Sequence, residues 1–449
     1  MGLRTMKNLL LIIFLYGSLY AQTIEGTVVS SKGFWKDGNI YTKHIIETSK
    51  GKDSIITWGG VVGFDALVVS DMPTLRKGQK GKFYIKDGML ERIERPIQKA
   101  LAVISVSPTT IHAGVREVLT ITGNGFGDRN IVQFAGADYG GSFFIDALDG
   151  QIISWTDTEI KVEVPSGAGT GPVKVVTLGG DVYESNPITI PYALAALPFD
   201  LGNGMIEYPA YHVDKNNNGG ITWQYNTDVP QPARVDFEAS LLNWSCNTLM
   251  NWEIGEDTTV NSVTDDGVNV VFFNDLGLST LGYCFSRYSA CYDGETNSII
   301  WYVKELDIVF NSQANWIYGD MAALKAISFK SVALHETGHG RQMYHVIDPA
   351  KVMHYSISSN SLKVVLSPAD IEGGLRVQDG STSGVCSQPL FTDYQCSLSV
   401  NDYDYGKLLD ITYYDLLGRK VNIKYVSNGI YIKEMRYENG VERKKTIKQ

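Results

Sequence analysis

The chain has 449 residues, 44% of them hydrophobic and 20% charged, and a formal net charge of −10. That length exceeds what one core serves and suggests three or four globular domains, while the acidic balance argues against nucleic acid or an anionic membrane surface as partner. All five cysteines (246, 284, 291, 386 and 396) lie in the second half. In an oxidising compartment they read as disulfides with one thiol left over, the short-loop pairs being Cys284 with Cys291 and Cys386 with Cys396.

Residues 1–21 place Arg4 and Lys7 before an apolar run from Leu9 to Leu19, with small Ala21 at the end. This is the order of an export signal, and the run is too short to span a bilayer. No other apolar run is long enough for a transmembrane anchor. Residues 22–98 alternate apolar and polar positions between glycine turns, as at Ile24, Gly26, Val28 and at Phe83, Tyr84, Ile85. The pattern predicts a small antiparallel β domain with no cluster of residues that carries chemistry.

Residues 101–192 carry short strands at regular spacing, split by Gly and Pro turns, which predicts a β-sandwich. Pro108, Ile121 to Gly123, Gly125 to Gly127, Val164, Pro165 and Gly169 to Val173 give the segment a resemblance to the immunoglobulin-like IPT/TIG family. The resemblance implies a spacer or a binding module, with a spacer the simpler expectation.

From residue 199 the pattern becomes α+β. Ile221 to Tyr225 and Val268 to Phe273 read as strands, and Pro232 to Trp244 as a helix with Val235, Ala239 and Leu242 on its apolar side. Leu306, Ile308 and Phe310 alternate with Asp307, Val309 and Asn311, a strand with one covered face. Asp214, Asn216, Asn218 and Gly219 mimic a calcium loop, but Tyr225 stands where a bidentate glutamate belongs. A polar turn is expected there, and Ca2+ is unsupported.

Ser331 to Tyr355 holds His335, His339, His345 and His354, four of the seven histidines. On a helix His335 and His339 project from one face about 6 Å apart along the axis, so one metal ion can join them. Glu336 is placed to take a proton from water at the metal's open position. This is the HExxH arrangement of zinc peptidases. With His345 six residues past His339, Met353 opening an MHY turn and LSPADIEGGL from Leu366, the stretch resembles the metzincin peptidases, and among them the matrixin-like group. The resemblance covers residues 199–380. It implies one catalytic Zn2+ on His335, His339 and His345, Glu336 as general base, Met353 as the floor of the Met-turn, and Tyr355 as a possible metal-proximal or transition-state residue. It also implies hydrolysis of internal peptide bonds in protein or peptide substrates, with an extended chain adding to an exposed strand edge. The pocket beside the Met-turn would be walled by residues 354–364.

The family glycine between the second and third histidines falls on Gln342. The helix must break for His345 to reach the metal, and a left-handed Gln342 costs about 1 to 2 kcal/mol unless the turn moves to Gly340. On that basis Gln342→Gly should be tolerated or mildly stabilising. No cysteine precedes Cys246, which excludes a thiolate from the N-terminal domain on the metal. Two other readings stay open: a zinc-containing adhesin without turnover, and an HExxH hydrolase whose third ligand is a glutamate such as Glu372.

Residues 381–400 read as a linker. Residues 401–449 contain short strands around an Asn428-Gly429 turn and a basic tail, a small C-terminal β domain. Asp415, Gly418, Arg419, Val421 and Gly429 to Ile432 resemble the C-terminal sorting domain of type IX secretion substrates, which implies passage through that secretion machinery to the cell surface or the medium. The chain as a whole reads as multidomain: an N-terminal antiparallel β domain, an Ig-like β-sandwich, an α+β metzincin-like catalytic domain and a small C-terminal β domain.

Overall fold

The computed structural model describes residues 22–70, 72, 75, 77–86, 88–94, 102–277, 280–396, 408–414, 419–422, 429–437 and 440–448. The export-signal residues 1–21 and, near the C-terminus, Asp415, Gly418 and Asn428 lie outside that set. Residues up to Gln395 form one unit and Cys396–Gln449 a second.

In the N-terminal region the strands are β1 (Gln22–Lys36), β2 (Asn39–Thr48), β3 (Gly51–Trp58), β4 (Gly60–Val62), β5 (Asp65–Val69), β6 (Lys80–Lys86) and β7 (Met89–Glu94). Ile24, Val28, Ile46, Ile55, Phe83, Ile85 and Leu90 point to one interior, as period-two alternation requires. The strands that carry them close into a barrel in the order β1-β2-β3-β7-β6. One pair departs from the expected antiparallel pattern: β3 and β7 run parallel at Ile56 and Met89. Strands β4 and β5 stay outside the barrel.

The sandwich uses β8 (Ala102–Ser107), β9 (Val118–Thr122), β10 (Ile131–Gly136), β11 (Phe144–Asp146), β12 (Ile152–Trp155), β13 (Glu159–Glu163), β14 (Ala168–Val176) and β15 (Val182–Ser185). The first strand, β8, pairs in parallel with β15 and antiparallel with β9, so both halves of the sandwich share it. Leu119, Ile121, Phe134, Val173 and Val175 fill the space between them.

After β16 (Ala193–Leu194), β17 (Ala196–Asp200) and β18 (Met205–Tyr211) comes the mixed α and β region. It contains β19 (Ile221–Tyr225), α1 (Gln231–Thr248), β20 (Trp252–Ile254), β21 (Asn269–Asn274), β22 (Gly282–Asp293), β23 (Ser298–Asn311), β24 (Trp316–Ile317), β25 (Ile327–Ser328), α2 (Phe329–Gly340), β26 (Met343–Tyr344) and α3 (Pro368–Thr382). The main sheet has the order β20-β19-β21-β23-β22-β5-β4. Strands β19, β20, β21 and β23 are parallel, and β22 is antiparallel to β23.

Three expectations are corrected here. Val235 and Leu242 are more than half exposed, and α1 instead buries Ala233, Phe237, Leu241 and Trp244; these sit one turn apart on the other side and include its largest rings. Strand β23 is covered on both faces, Val309 packing with Val270, Phe272 and Phe285 against Ile40, Leu67 and Val69 of the N-terminal region. The edge of β22 is not free either, since β5 pairs antiparallel with it from Phe285 to Ser289. A buried charge cluster ties the same two regions, Arg287 donating to Glu305 at 2.9 Å and to Asn39 at 2.8 Å.

The cysteines also pair differently from the short-loop expectation. Cys291 bonds Cys386 across 95 residues, Cys246 and Cys396 are disulfide-bonded as well, and Cys284 is the buried free thiol. Cys284 is fully buried on a core strand, where its partner by sequence is out of reach. The second unit contains a four-stranded sheet of β27 (Leu408–Tyr414), β28 (Lys420–Val421), β29 (Gly429–Tyr437) and β30 (Gly440–Lys448).

Candidate metal centre

Helix α2 begins at Ser328, whose hydroxyl accepts from the Ser331 amide, satisfying one of the free N–H groups of the first turn. Phe329, Val332 and Ala333 bury its inner side, and Trp244 of α1 donates its indole N–H to the Leu334 carbonyl at 3.0 Å. This anchoring leaves His335 and His339 one turn apart, with His335 lining the cleft and His339 buried behind it.

The helix then breaks at Gln342, which takes the left-handed conformation with φ 67°; the turn does not move to Gly340. The fully buried Gln342 side chain accepts from the Tyr288 hydroxyl at 2.6 Å and donates to the Gly340 carbonyl at 3.1 Å. These bonds offset a strain of about 1 to 2 kcal/mol that glycine would avoid. Arg341, also fully buried, fastens the end of the helix to α1 and α3 through Thr248 and Gln378. Burial pushes its pKa down to about 9.

Past the break, β26 pairs with β16 and the chain returns to bring His345 beside the first two histidines. The three Nε2 atoms lie 3.1 to 3.2 Å apart. Each Nδ1 has its own acceptor: the Val352 carbonyl for His335 at 2.8 Å, the Met343 carbonyl for His339 at 2.9 Å and the Asp138 carboxylate for His345 at 2.9 Å. A carbonyl or carboxylate only accepts, so each Nδ1 holds the proton and, in the neutral ring, each Nε2 presents a bare lone pair. Burial, and then the neighbouring imidazoles, favour the neutral form, pushing His335 down to about 3 and His339 well below its usual value. Three lone pairs facing one another repel unless a cation lies among them. Their spacing is close to the roughly 3.3 Å edge of a tetrahedron with donors about 2.0 to 2.1 Å from a zinc ion. The residues present therefore suit a zinc ion, and together they could hold a metal.

Glu336, on the next position of α2, is buried and lines the same cleft as His335. Its neighbours are Gly282, where an added Cβ would lie 3.0 Å from the glutamate side chain, and Ser70, whose hydroxyl donates to Oε2 at 3.4 Å. Met353 is buried beneath α2 at Gly338, where a Cβ would fall 2.3 Å from its sulfur. Tyr355 lines the cleft and lies against Gly140 of the sandwich. The cleft holds about 570 Å³, and His354 to Ile357 and Lys363 form one wall of it.

The alternative third ligand falls elsewhere. Glu372 is largely exposed on α3, 3.8 Å from His112, and is not among the convergent donors. Asp214 and Asn216 turn their side-chain oxygens onto the amides of Asn216, Asn218 and Gly220, as a polar turn does.

Sequence reading missed Ser70 and Asp138, which come from regions without a motif. Gly140 and Gly141, two and three residues after Asp138, were the available signal, since adjacent glycines mark close approach of another segment.

Two family models match the chain: IPT/TIG domain over residues 101–192 and Matrixin over residues 297–377. The second encloses α2 and all three histidines. A cyclomaltodextrin glucanotransferase of Bacillus sp. (strain 1-1) is 25% identical over 193 residues, 38% of this chain and 25% of that one. Metalloendoproteinase 2-MMP of Arabidopsis thaliana is 25% identical over 194 residues, 40% of this chain and 47% of the other. The chain thus spans less than half the length of these relatives. Among solved structures, a gamma-CGTase from alkalophilic Bacillus clarkii aligns at 12% identity and TM-score 0.16 over 63% of this chain and 42% of that one. SGBP-B of the Bacteroides ovatus mixed-linkage glucan utilization locus, in complex with a mixed-linkage heptasaccharide, aligns at 8% identity and TM-score 0.15 over 64% of this chain and 53% of that one.

Proposed function

We propose that this protein is a zinc-dependent endopeptidase that cleaves internal peptide bonds, with His335, His339 and His345 holding the metal and Glu336 acting as general base. The observation that carries the reading is the convergence of the Nε2 atoms of His335, His339 and His345 at the inner end of a cleft that His335 and the buried Glu336 line. A zinc ion held there supplies Lewis acidity toward a carbonyl and toward water. Glu336 would accept the proton of water as its oxygen bonds to the carbonyl carbon, and would then return that proton to the nitrogen, after which the peptide C–N bond breaks and the amine leaves. The carbonyls of Val352 and Met343 keep His335 and His339 in the tautomer that leaves Nε2 free. Met353 fixes the floor, and Tyr355 stands on the wall where it can donate to a developing oxyanion.

Strand β5 occupies Phe285 to Ser289 of the β22 edge that an extended peptide would join, and Met72 lies in the cleft beyond it. Substrate chain therefore reaches the metal through the part of the cleft bounded by Leu281, Tyr283 and His354 to Ile357, or after β5 gives way. The export signal in residues 1–21 and the sorting-type residues after 401 support a secreted or surface protein. No described helix is long and apolar enough to cross a membrane.

Mass-spectrometric mapping of cuts in a mixed protein library, with wild type and Glu336→Ala side by side, tests the reading. The expected result is discrete internal cuts by the wild type, none by the variant, and equal zinc in both. Zinc bound equally with no cuts by either protein would favour the adhesin instead.

A further inference from the structure

We propose that the Ig-like sandwich is a structural part of the metal centre, with Asp138 as the positioning residue for the third ligand. This rests on the reading of His335, His339 and His345 as a zinc site. His345 is the one triad member whose Nδ1 partner comes from outside the catalytic region, and that partner carries a charge: Asp138 Oδ1 at 2.9 Å. Asp138 occupies a single 3-10 turn, Ala137–Tyr139, closed by a left-handed Gly140. A carboxylate on the outer nitrogen fixes the tautomer and ring orientation of a ligating histidine and raises its basicity toward the metal.

The contact is one of several that dock the metal loop on the sandwich. Ala193 and Leu194, which follow directly from it, pair with Tyr344 and Met343, and the Ala195 amide donates to the Gln342 carbonyl at 2.9 Å. Lys351 donates to the Pro191 carbonyl at 2.5 Å. Ile347 lies over Gly141 and Gly169, where an added Cβ at Gly169 would come within 2.7 Å of it. The loop from Gln342 to Tyr355 is therefore held from the helix on one side and from the sandwich on the other. His335 and His339 ride on a helix that fixes their geometry locally. His345, past a left-handed break, has no such frame of its own, and the sandwich provides it.

The test measures zinc affinity of the full chain by chelator competition for wild type, Asp138→Ala, Asp138→Asn and, as control, Asp181→Ala at an exposed turn of the same sandwich. Expected are a 10- to 100-fold weaker zinc affinity for Asp138→Ala, partial recovery in Asp138→Asn, which keeps an acceptor oxygen without the charge, and no change in Asp181→Ala. The Co2+-loaded Asp138→Ala protein should show an altered d–d spectrum, and the metal-free proteins should melt alike. Zinc affinity within twofold of wild type for Asp138→Ala would overturn the inference. So would equal losses in the Ala and Asn variants together with a lowered melting temperature of the metal-free protein, which is the signature of general destabilisation. A wild-type chain that binds no zinc would instead remove the functional reading on which the inference rests.

Discussion

The barrel and the sandwich both reach the metal cleft, and they act on it in opposite ways. The N-terminal region lends β5 to the edge of the catalytic sheet and sets the Ser70 hydroxyl against Glu336. Under the proposed function it occupies a strand edge that an extended substrate would join. The sandwich takes up none of the sheet edge; it lends one carboxylate to His345 and a surface for the loop behind it. It completes what the metal needs. Two β modules joined in series to one catalytic region thus differ because one extends the sheet at β22 and the other docks against the loop that follows α2.

The largest effect expected is on the metal side. His345→Ala should weaken zinc binding by more than about 100-fold, beyond the range for its outer partner, and abolish cleavage. Metal analysis after dialysis measures it, and full zinc occupancy in that variant would break the assignment of the sandwich to the metal centre.

Next comes a difference in acid sensitivity. His44 lies buried in β2 between the Ser31 and Thr57 hydroxyls, at 2.7 and 3.0 Å, and burial pushes its pKa down to about 4. Its unfolded value is near 6.5, so the unfolded chain takes up the proton first. Stability is therefore intact above pH 6.5, falls as pH drops from 6.5 to 4, and levels off below, by about 3 kcal/mol in total. Urea midpoints across that range should show this slope, and His44→Gln should flatten it. An unchanged slope in the variant would mean other groups dominate.

A smaller effect belongs to Gln342. The expectation that glycine would be tolerated or mildly stabilising is revised by the Tyr288 hydrogen bond. Gln342→Gly relieves about 1 to 2 kcal/mol of backbone strain but leaves a buried hydroxyl without its partner, at a cost of about 1 to 3 kcal/mol. A net loss of about 0.5 kcal/mol is expected in denaturant melts, and a gain would show that strain outweighs the bond.

The smallest effect tests the covering role of the barrel side. Ser70→Ala removes the hydroxyl that donates to Glu336 and accepts from the Cys284 amide at 2.9 Å. A rise of about two- to fivefold in kcat/KM toward peptides is expected, since about 1 kcal/mol is lost with a buried hydrogen bond. A fall would place Ser70 among the groups that help Glu336 rather than cover it.

The sequence by itself determined the elements whose information is local. HExxH on one helix face, a histidine six residues on, a methionine turn and the sandwich's glycine and proline turns all follow from spacings of a few residues, because helical and strand periodicity act over that range. Only the tertiary structure decided what depends on distant segments meeting. Asp138 lies 207 residues from His345 and Ser70 lies 266 from Glu336, and neither belongs to a periodic pattern. The Cys291–Cys386 bridge spans 95 residues where loop length had favoured nearer pairs. The buried side of α1 likewise was set by where Trp244 and Phe237 found the sheet and α2, since the exposed Val235 and Leu242 carry an equally good apolar stripe. Burial of the largest complementary surfaces chose between the two faces, and that choice is made only when the chain is folded.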